Sequence, residues 1–402
     1  VERKFDVVVV GSGPGGYKAS KLLLERGYRV CLVEKGIFGG TCLNAGCIPK
    51  DVLYNIAINL TKLKQLFGKE ISISWEDAVR TAQERVVRLR ESAKEYLQRK
   101  GLEIVHGEGE LVDEKVVKVR NMKLIGDYII LACGSRQKEE GVSPEDLLTG
   151  KVKLGKSVLI KGEGPSACEL AYLLHTFGIK VSLIIKDRLL SSFSQVPEFF
   201  SAKLEALFED LGVEIVDREV DADTVVTATG RIPNFCLEMF PFIRTRSDGF
   251  IDTDPYLETS VPGVYAVGDV VPPMGAGFAL EKAKVAVHNI IYGKSLRFDP
   301  SKVPVVVTSA YEIGFVGNLQ EAVKIEHKAM TLNSKNFVNH TNGILRIGYS
   351  ENNTPVFLCG IGHGISEIVN TFSAFLGGSF SHPSYAEIIE EITGYLSSVR
   401  RF

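Results

Sequence analysis

The sequence predicts an α/β chain in which a nucleotide-binding βαβ unit occurs twice, followed by a segment of mixed strands and helix. Three observations carry this. A β-branched run, Asp6 to Val10, ends in the turn Gly11-Ser12-Gly13-Pro14-Gly15-Gly16 and opens into a helical pattern and a second strand. The same arrangement recurs from Lys156, in "KSVLIKGEGPSACELAYLLHTFGIKVSLIIKDR". From Val303 the texture changes to short strand-like segments and then a helix.

Taken in order, Asp6 to Val10 reads as a parallel strand buried on both faces, because its apolar run is continuous and not alternating. "YKASKLLLERG" is a helix and "YRVCLVE" the strand that completes the first unit. Asn55 to Lys100 keeps helical spacing and is rich in Lys, Arg and Glu, which predicts two solvated helices. "DYIILACGS" is a strand running into a glycine turn. After the second unit come an amphipathic helix, "PEFFSAKLEALFEDLG", a strand, "DTVVTATG", and "GVYAVGDVV". Strands are expected in "VPVVVTSA", "GILRIGYS" and "TPVFLCGIG", and "HPSYAEIIEEITGYL" follows the last helix.

The 402 residues suggest two or three domains and allow a sizeable core. A net charge of −2 gives no reason to expect nucleic acid or an anionic membrane as partner. The apolar run before the first glycines is too short for a signal-peptide core, and no stretch of about 18 apolar residues predicts a membrane span. Seven cysteines, odd in number and scattered, fit a reducing cytoplasmic setting and not a disulfide framework.

Gly11, Gly13 and Gly16 fit G-x-G-x-x-G. The first allows the tight turn, the second lets a pyrophosphate approach the backbone, and the third lets helix pack on strand. Glu34 ends the second strand, where a carboxylate accepts hydrogen bonds from ribose hydroxyls. The second fingerprint is Gly162, Gly164 and Ala167. No acid ends its second strand. Lys186 and Arg188 stand there instead and point to a 2′-phosphate, hence NADPH over NADH, although Asp187 between them could bind a plain ribose and both cations could be ordinary turn charges.

"GGTCLNAGCIPK", residues 39 to 50, places Cys42 and Cys47 five apart beside two glycines. A helix start near Thr41 with a slightly distorted first turn would allow a disulfide, and helix N–H groups favour thiolates. Three readings are compatible with the spacing: a redox disulfide, a zinc half-site, or two unrelated buried thiols. Zinc would want more Cys or His at short spacing, and none is near, so no metal site is expected. Cys31, Cys133, Cys168 and Cys359 read as buried free cysteines, and Cys236 lies in an irregular stretch.

These residues resemble the FAD-dependent pyridine nucleotide–disulfide oxidoreductases. The resemblance covers nearly the whole chain in order: first fingerprint, cysteine pair, "ACGS", second fingerprint, "TATGRIPN", "VYAVGDVV" and "HPSYAE". It implies two Rossmann-like domains and a C-terminal α+β dimerisation domain. FAD would be bound by residues 1–138 and 237–300, NAD or NADP by 139–236, and dimerisation would use 301–402. Cys42 would attack the substrate disulfide and Cys47 would face the flavin. Lys50 would pair with Glu169 near the flavin. Gly134, Gly268 and Asp269 match FAD motifs, with Asp269 reaching the ribityl chain. Gly230 and Arg231 match the motif closing the NAD(P) domain. His382 and Glu387 match the catalytic His-Glu pair, and the family's use of this His from the other subunit implies a homodimer. An imidazole suits the task, because reducing a disulfide releases a thiolate that must be protonated.

The chain departs from the family pattern in its short stretch before "ADTVV" and in Gly275-Ala276-Gly277 at the flavin-side helix. The wording "CLNAGCIP" is closer to the dihydrolipoyl branch, whose substrates are small dithiols or lipoyl proteins. The basic turn at Lys186 leans towards NADPH-dependent glutathione-type reductases. Two readings of other kinds are a non-catalytic flavoprotein module in a larger complex and a flavin oxidase that passes electrons to oxygen.

Overall fold

The computed structural model describes residues 1–235, 239–331, 334 and 341–383. The chain divides into two compact units. One comprises Val1–Lys50, Arg80–Lys138 and Arg231–Pro300, and the other Asp51–Val79, Glu139–Gly230 and the described residues from Ser301.

The first unit opens with β1 (Glu2–Val10), α1 (Pro14–Leu24) and β2 (Val30–Glu34). The short helix α2 (Gly40–Ala45) leads into α3 (Cys47–Phe67), inside which the unit boundary falls. After α4 (Trp75–Arg99) come β3 (Glu103–His106), β4 (Glu110–Asp113), β5 (Val116–Val119), β6 (Met122–Leu131) and β7 (Ser135–Gln137). The sheet order is β3-β2-β1-β6-β5-β4. Its β3, β2, β1 and β6 strands run parallel, and β5 and β4 add an antiparallel meander to the N-terminal half of β6.

The second unit contains α5 (Pro144–Leu148), β8 (Ser157–Lys161), α6 (Pro165–Thr176), β9 (Lys180–Ile184), α7 (Glu198–Leu211), β10 (Glu214–Val216) and β11 (Thr224–Thr227). Its parallel sheet has the order β10-β9-β8-β11. The chain then returns to the first unit. There β12 (Arg231–Pro233) pairs with β7, β13 (Val264–Ala266) pairs with the C-terminal half of β6, and α8 (Ala276–Tyr292) follows. Back in the second unit, β14 (Val305–Thr308), β15 (Glu312–Gly317), β16 (Lys324–Ala329), β17 (Gly343–Tyr349) and β18 (Pro355–Gly362) form an antiparallel sheet of order β14-β15-β18-β17-β16. Helix α9 (Ile365–Phe375) packs on it.

The continuous apolar run of β1 is explained by two cores. Val7 and Val9 join α1 and α8 through Ala19, Leu23, Ala283 and Ile290. Val8 and Val10 join Val117, Leu124 and Val264 on the other face. Successive side chains alternate across a strand, so a strand covered on both sides must be apolar throughout.

Several strands were not expected from sequence. Strands β3, β4 and β5 are short and alternate charged exposed residues with buried Val105, Leu111, Val117 and Val119, so no continuous apolar run marks them. Strand β16 is exposed along its whole length and shows no apolar side. Strand β15 carries Gly314, where a Cβ would lie 2.9 Å from the Val369 side chain, so the glycine that blurs its strand pattern lets α9 approach. Residues 217–223, between β10 and β11, form no strand.

Two buried thiols give the fold a pH signature. Burial pushes Cys31 in β2 up to about 12, with Glu103 adding to the rise, and burial likewise pushes Cys359 in β18 up to about 12. Unfolded, each ionises near 9.0. Above that pH the unfolded chain binds fewer protons than the folded one, so stability falls as pH rises towards the folded value. One unit above the unfolded value, each thiol contributes a loss of about 1.4 kcal/mol. Urea unfolding at about pH 8 and about pH 10 should show Cys31→Ala and Cys359→Ala each losing about 1.4 kcal/mol less than the wild type. Equal losses in all three proteins would refute this.

Candidate functional site

The first glycine turn is shaped by close contacts. Gly11 has φ +103°, and a Cβ there would lie 2.3 Å from the Ala132 carbonyl oxygen. A Cβ on Gly16 would lie 1.9 Å from the Gly11 carbonyl oxygen, so α1 can sit on the turn only without one. Gly13 is the N-cap of α1, and a Cβ there would meet no chain atom within 4 Å. Helix α1 has no side-chain cap and no acid in its first turn. Its first N–H groups are therefore suited to an anion. Glu34, at the end of β2, accepts from Ser12 N at 2.9 Å and Ser12 Oγ at 2.5 Å, and from Gly36 N at 2.7 Å. A carboxylate has further lone pairs for ribose hydroxyls.

The cysteine segment is built against this turn. Gly40 has φ +64°, and a Cβ on it would stand 2.7 Å from the Gly13 Cα. Gly39 N donates to Ser12 Oγ at 2.8 Å. Helix α2 then stops at Gly46, whose φ of −136° and ψ of −115° are not helical, and α3 starts at Cys47. The expected distorted first turn is thus a break between two helices, with one cysteine on each side. Asn44 fixes the turn, donating to the carbonyls of Phe38 and Gly40 at 2.9 Å and accepting from Arg90 Nη1 at 3.0 Å. Gln83 Nε2 donates to the Asn44 carbonyl at 3.3 Å, so α4 holds the segment at two points.

Cys42 and Cys47 are half-buried free thiols that share a side-chain hydrogen bond. That bond and burial push the Cys42 thiol up, and the nearby Asp269 carboxylate adds to the rise, while the Cys47 backbone N–H opposes it. Helix N–H groups were expected to favour thiolates here. In the dithiol form they are outweighed, because one sulfur's proton is already held by the other.

Asp269 lies in the turn after β13. Its Oδ1 accepts from Gly275 N at 2.8 Å and its Oδ2 from Ser135 Oγ at 3.0 Å. Ser135 is in turn gripped by Arg231, whose Nε donates to its Oγ and Nη2 to its carbonyl, both at 2.8 Å. Gly268 at φ +77° and Gly134 at φ +75° turn the backbone on either side, and a Cβ on either would meet nothing within 4 Å. Sequence reasoning missed Lys282. Fully buried on α8, it donates to the carbonyls of Gly268 at 3.2 Å, of Pro273 at 2.7 Å and of Val271. Burial brings its pKa down to about 7, opposed by Asp269. A lysine inside an apolar helix pattern was the only available signal.

The second glycine turn repeats the first. Gly162, at φ +140°, would place a Cβ 2.4 Å from the Ala228 carbonyl oxygen. Gly164 is the N-cap of α6, which again has no side-chain cap. Ala167 is fully buried and its methyl is accommodated. Gly230, at φ +122°, ends this part of the unit. Lys186 and Arg188 follow β9, and Arg188 Nη1 donates to the buried Ser201 Oγ at 2.7 Å. Glu163, also unforeseen, accepts from Lys186 N at 2.7 Å, Asp187 N at 3.2 Å and Ser191 Oγ at 3.0 Å.

Glu169 is buried on α6 and accepts from Thr308 N at 3.2 Å. Lys50 lies in the first turn of α3, three residues after Cys47, and belongs to the first unit whereas Glu169 belongs to the second. His382 is half-buried, next to Ser381, which exchanges hydrogen bonds of 2.9 and 2.7 Å with the Asn370 side chain. Glu387 and Cys236 lie outside the described residues. Among the described residues no three His, Cys, Asp or Glu gather as a metal site, and no helix is long and apolar enough to cross a membrane.

The family model for pyridine nucleotide-disulphide oxidoreductase matches residues 5–219 and 216–289. Similar curated proteins include the dihydrolipoyl dehydrogenase of Geobacillus stearothermophilus, 31% identical over 80% of this chain and 77% of that one. Those of Bacillus subtilis and Pseudomonas aeruginosa are 26% and 25% identical, each over 96% of this chain, and over 97% and 96% of their own lengths.

Proposed function

Because the chain belongs to the pyridine nucleotide-disulphide oxidoreductase family, we propose that it passes two electrons between a dihydrolipoyl-type dithiol and a nicotinamide dinucleotide through Cys42 and Cys47. Enzymes of this family use FAD and NAD(P). The observation that carries the reading is the hydrogen bond joining the two thiols across the Gly46 break, beside Asp269.

The residues present fit FAD. Gly11, Gly13 and Gly16 and the uncapped head of α1 suit its pyrophosphate, Glu34 its adenosine ribose, and Asp269, steadied by Ser135, Arg231 and Lys282, its ribityl chain. Bound FAD supplies a two-electron relay between hydride donor and disulfide. We assign it to segments 1–138 and 237–300, the nicotinamide dinucleotide to 139–236 through Gly162, Gly164, Ala167 and Gly230, and dimerisation to 301–402.

The chain's own chemistry starts from the oxidised Cys42–Cys47 pair. A substrate thiolate attacks Cys42, the Cys42–Cys47 bond breaks and a mixed disulfide forms. The second substrate thiolate displaces Cys42, leaving substrate disulfide and two reduced cysteines. The substrate has then lost two electrons and its two thiol protons. His382, assigned to the partner protomer of a homodimer, takes the proton from the attacking thiol, and Glu387 fixes its tautomer. Lys50 with Glu169 would supply charge near the flavin. Reduced thiols of this kind suit a cytoplasmic setting.

Direction follows relative potentials, about 30 mV being worth roughly 1.4 kcal/mol for a two-electron couple. The test compares lipoamide, glutathione disulfide and oxygen as acceptors with NADH and NADPH. Rapid turnover is expected with lipoamide. A preference for glutathione disulfide would move the protein to the glutathione-type branch, and turnover with oxygen alone would overturn the dithiol reading.

A further inference from the structure

We propose that Glu163, and not the Lys186–Arg188 turn, sets the dinucleotide preference of the second site, favouring a free adenosine 2′-hydroxyl over a 2′-phosphate. This rests on the nicotinamide reading above. The two glycine turns can be aligned by their backbones. Gly11 N donates to Val33 O at 2.8 Å, and Gly162 N to Ile184 O at 3.0 Å. Ile185 therefore stands where Glu34 stands in the first site, and it cannot accept a hydrogen bond from ribose.

The missing carboxylate arrives from the opposite side. In the first site the strand-end Glu34 reaches the turn at Ser12. In the second, Glu163 occupies Ser12's place between the two glycines and reaches the strand end, at the backbone N–H groups of Lys186 and Asp187. The polarity of the link is reversed, but an acid still lies at the point where a βαβ fold reads ribose. Burial works against ionising Glu163, yet the two backbone N–H groups, Ser191 and Lys186 outweigh it and hold the carboxyl below its ordinary value. It is an anion at neutral pH.

Both cations of this turn have neighbours within the chain. Lys186 sits within electrostatic range of Glu163. Arg188 is drawn to Ser201 on α7, whose Oγ donates to the Leu189 carbonyl at 2.6 Å. Asp187 adds a second acid, and Glu205 accepts from Leu189 N at 2.8 Å. A 2′-phosphate would enter beside the carboxylates of Glu163 and Asp187, whereas a ribose diol would find an acceptor in Glu163. Like charges a few ångströms apart at a protein surface alter a binding constant by about tenfold or more.

The FAD-loaded protein is titrated with NAD+ and NADP+ in a calorimeter, so that binding is read without turnover. Wild type should bind NAD+ more tightly. Glu163→Gln, which keeps an oxygen for Lys186 N, and Glu163→Ser, which copies the first site, should each shift the affinity ratio towards NADP+ by about tenfold. An unmoved ratio in both variants overturns the assignment alone, as does a shift produced instead by Lys186→Ala with Arg188→Ala. Wild type that binds neither dinucleotide overturns it together with the function it rests on.

Discussion

Cys42→Ser and Cys47→Ser should each lower lipoamide-dependent turnover by ~1,000-fold or more, the scale of loss when a residue carrying the covalent step is removed. Serine keeps the size and the helix break at Gly46, so the loss would report chemistry and not fold. The two variants should differ spectrally. Anaerobic reduction of the wild type by NADH should raise a long-wavelength absorption band from a thiolate lying against the flavin. Cys42→Ser, which has no disulfide to reduce, should show that band before any reductant is added, because Cys47, proposed as the flavin-side sulfur, is then already a free thiol beside oxidised flavin. Cys47→Ser should lack it. Turnover within tenfold of wild type in either variant would end the disulfide reading, and a band that follows Cys42 instead would reverse the two assignments.

The second large effect concerns the glycines of the first turn. Gly16→Ala sets a methyl 1.9 Å from the Gly11 carbonyl oxygen, a contact between two backbones that no side-chain rotation relieves. Helix α1 would have to lift from the sheet, and overpacking of this kind costs about 3 kcal/mol. Gly13→Ala is the contrast. Its φ is −61° and its methyl meets nothing within 4 Å, so urea stability of the apoprotein should stay within about 0.5 kcal/mol. Its methyl would nevertheless stand where a pyrophosphate must approach. FAD affinity, read by quenching of flavin fluorescence, should fall by about 100-fold, roughly 2.7 kcal/mol. Unchanged affinity in Gly13→Ala would remove the phosphate from this turn, and an unchanged urea midpoint in Gly16→Ala would refute the packing argument.

What could be read from the residues was local. A glycine turn between a buried strand and a helix has a fixed periodicity and a fixed steric requirement, so both fingerprints were visible in the order of amino acids. The cysteine pair was visible for the same reason. What escaped was set by contacts between residues distant in the chain. Arg90 and Gln83 reach Asn44 from another helix. Arg231 reaches Ser135 and through it Asp269. Glu163 was passed over because an acid inside a glycine turn has no fixed meaning until its partner is known. Lys186 and Arg188 were read by their charge alone, and charge does not disclose that a guanidinium is bound to a serine on the next helix.

The first unit is stitched from three stretches of chain, and the cradle around Asp269 needs Ser135, Arg231 and Lys282 together. On the ribosome these arrive far apart in time. A nascent chain can close its opening β-strands and first glycine turn early, yet the cradle around Asp269 is incomplete until α8 has emerged. A chain that stops short of α8 therefore lacks Lys282 and cannot finish that cradle, however well its first strands have paired.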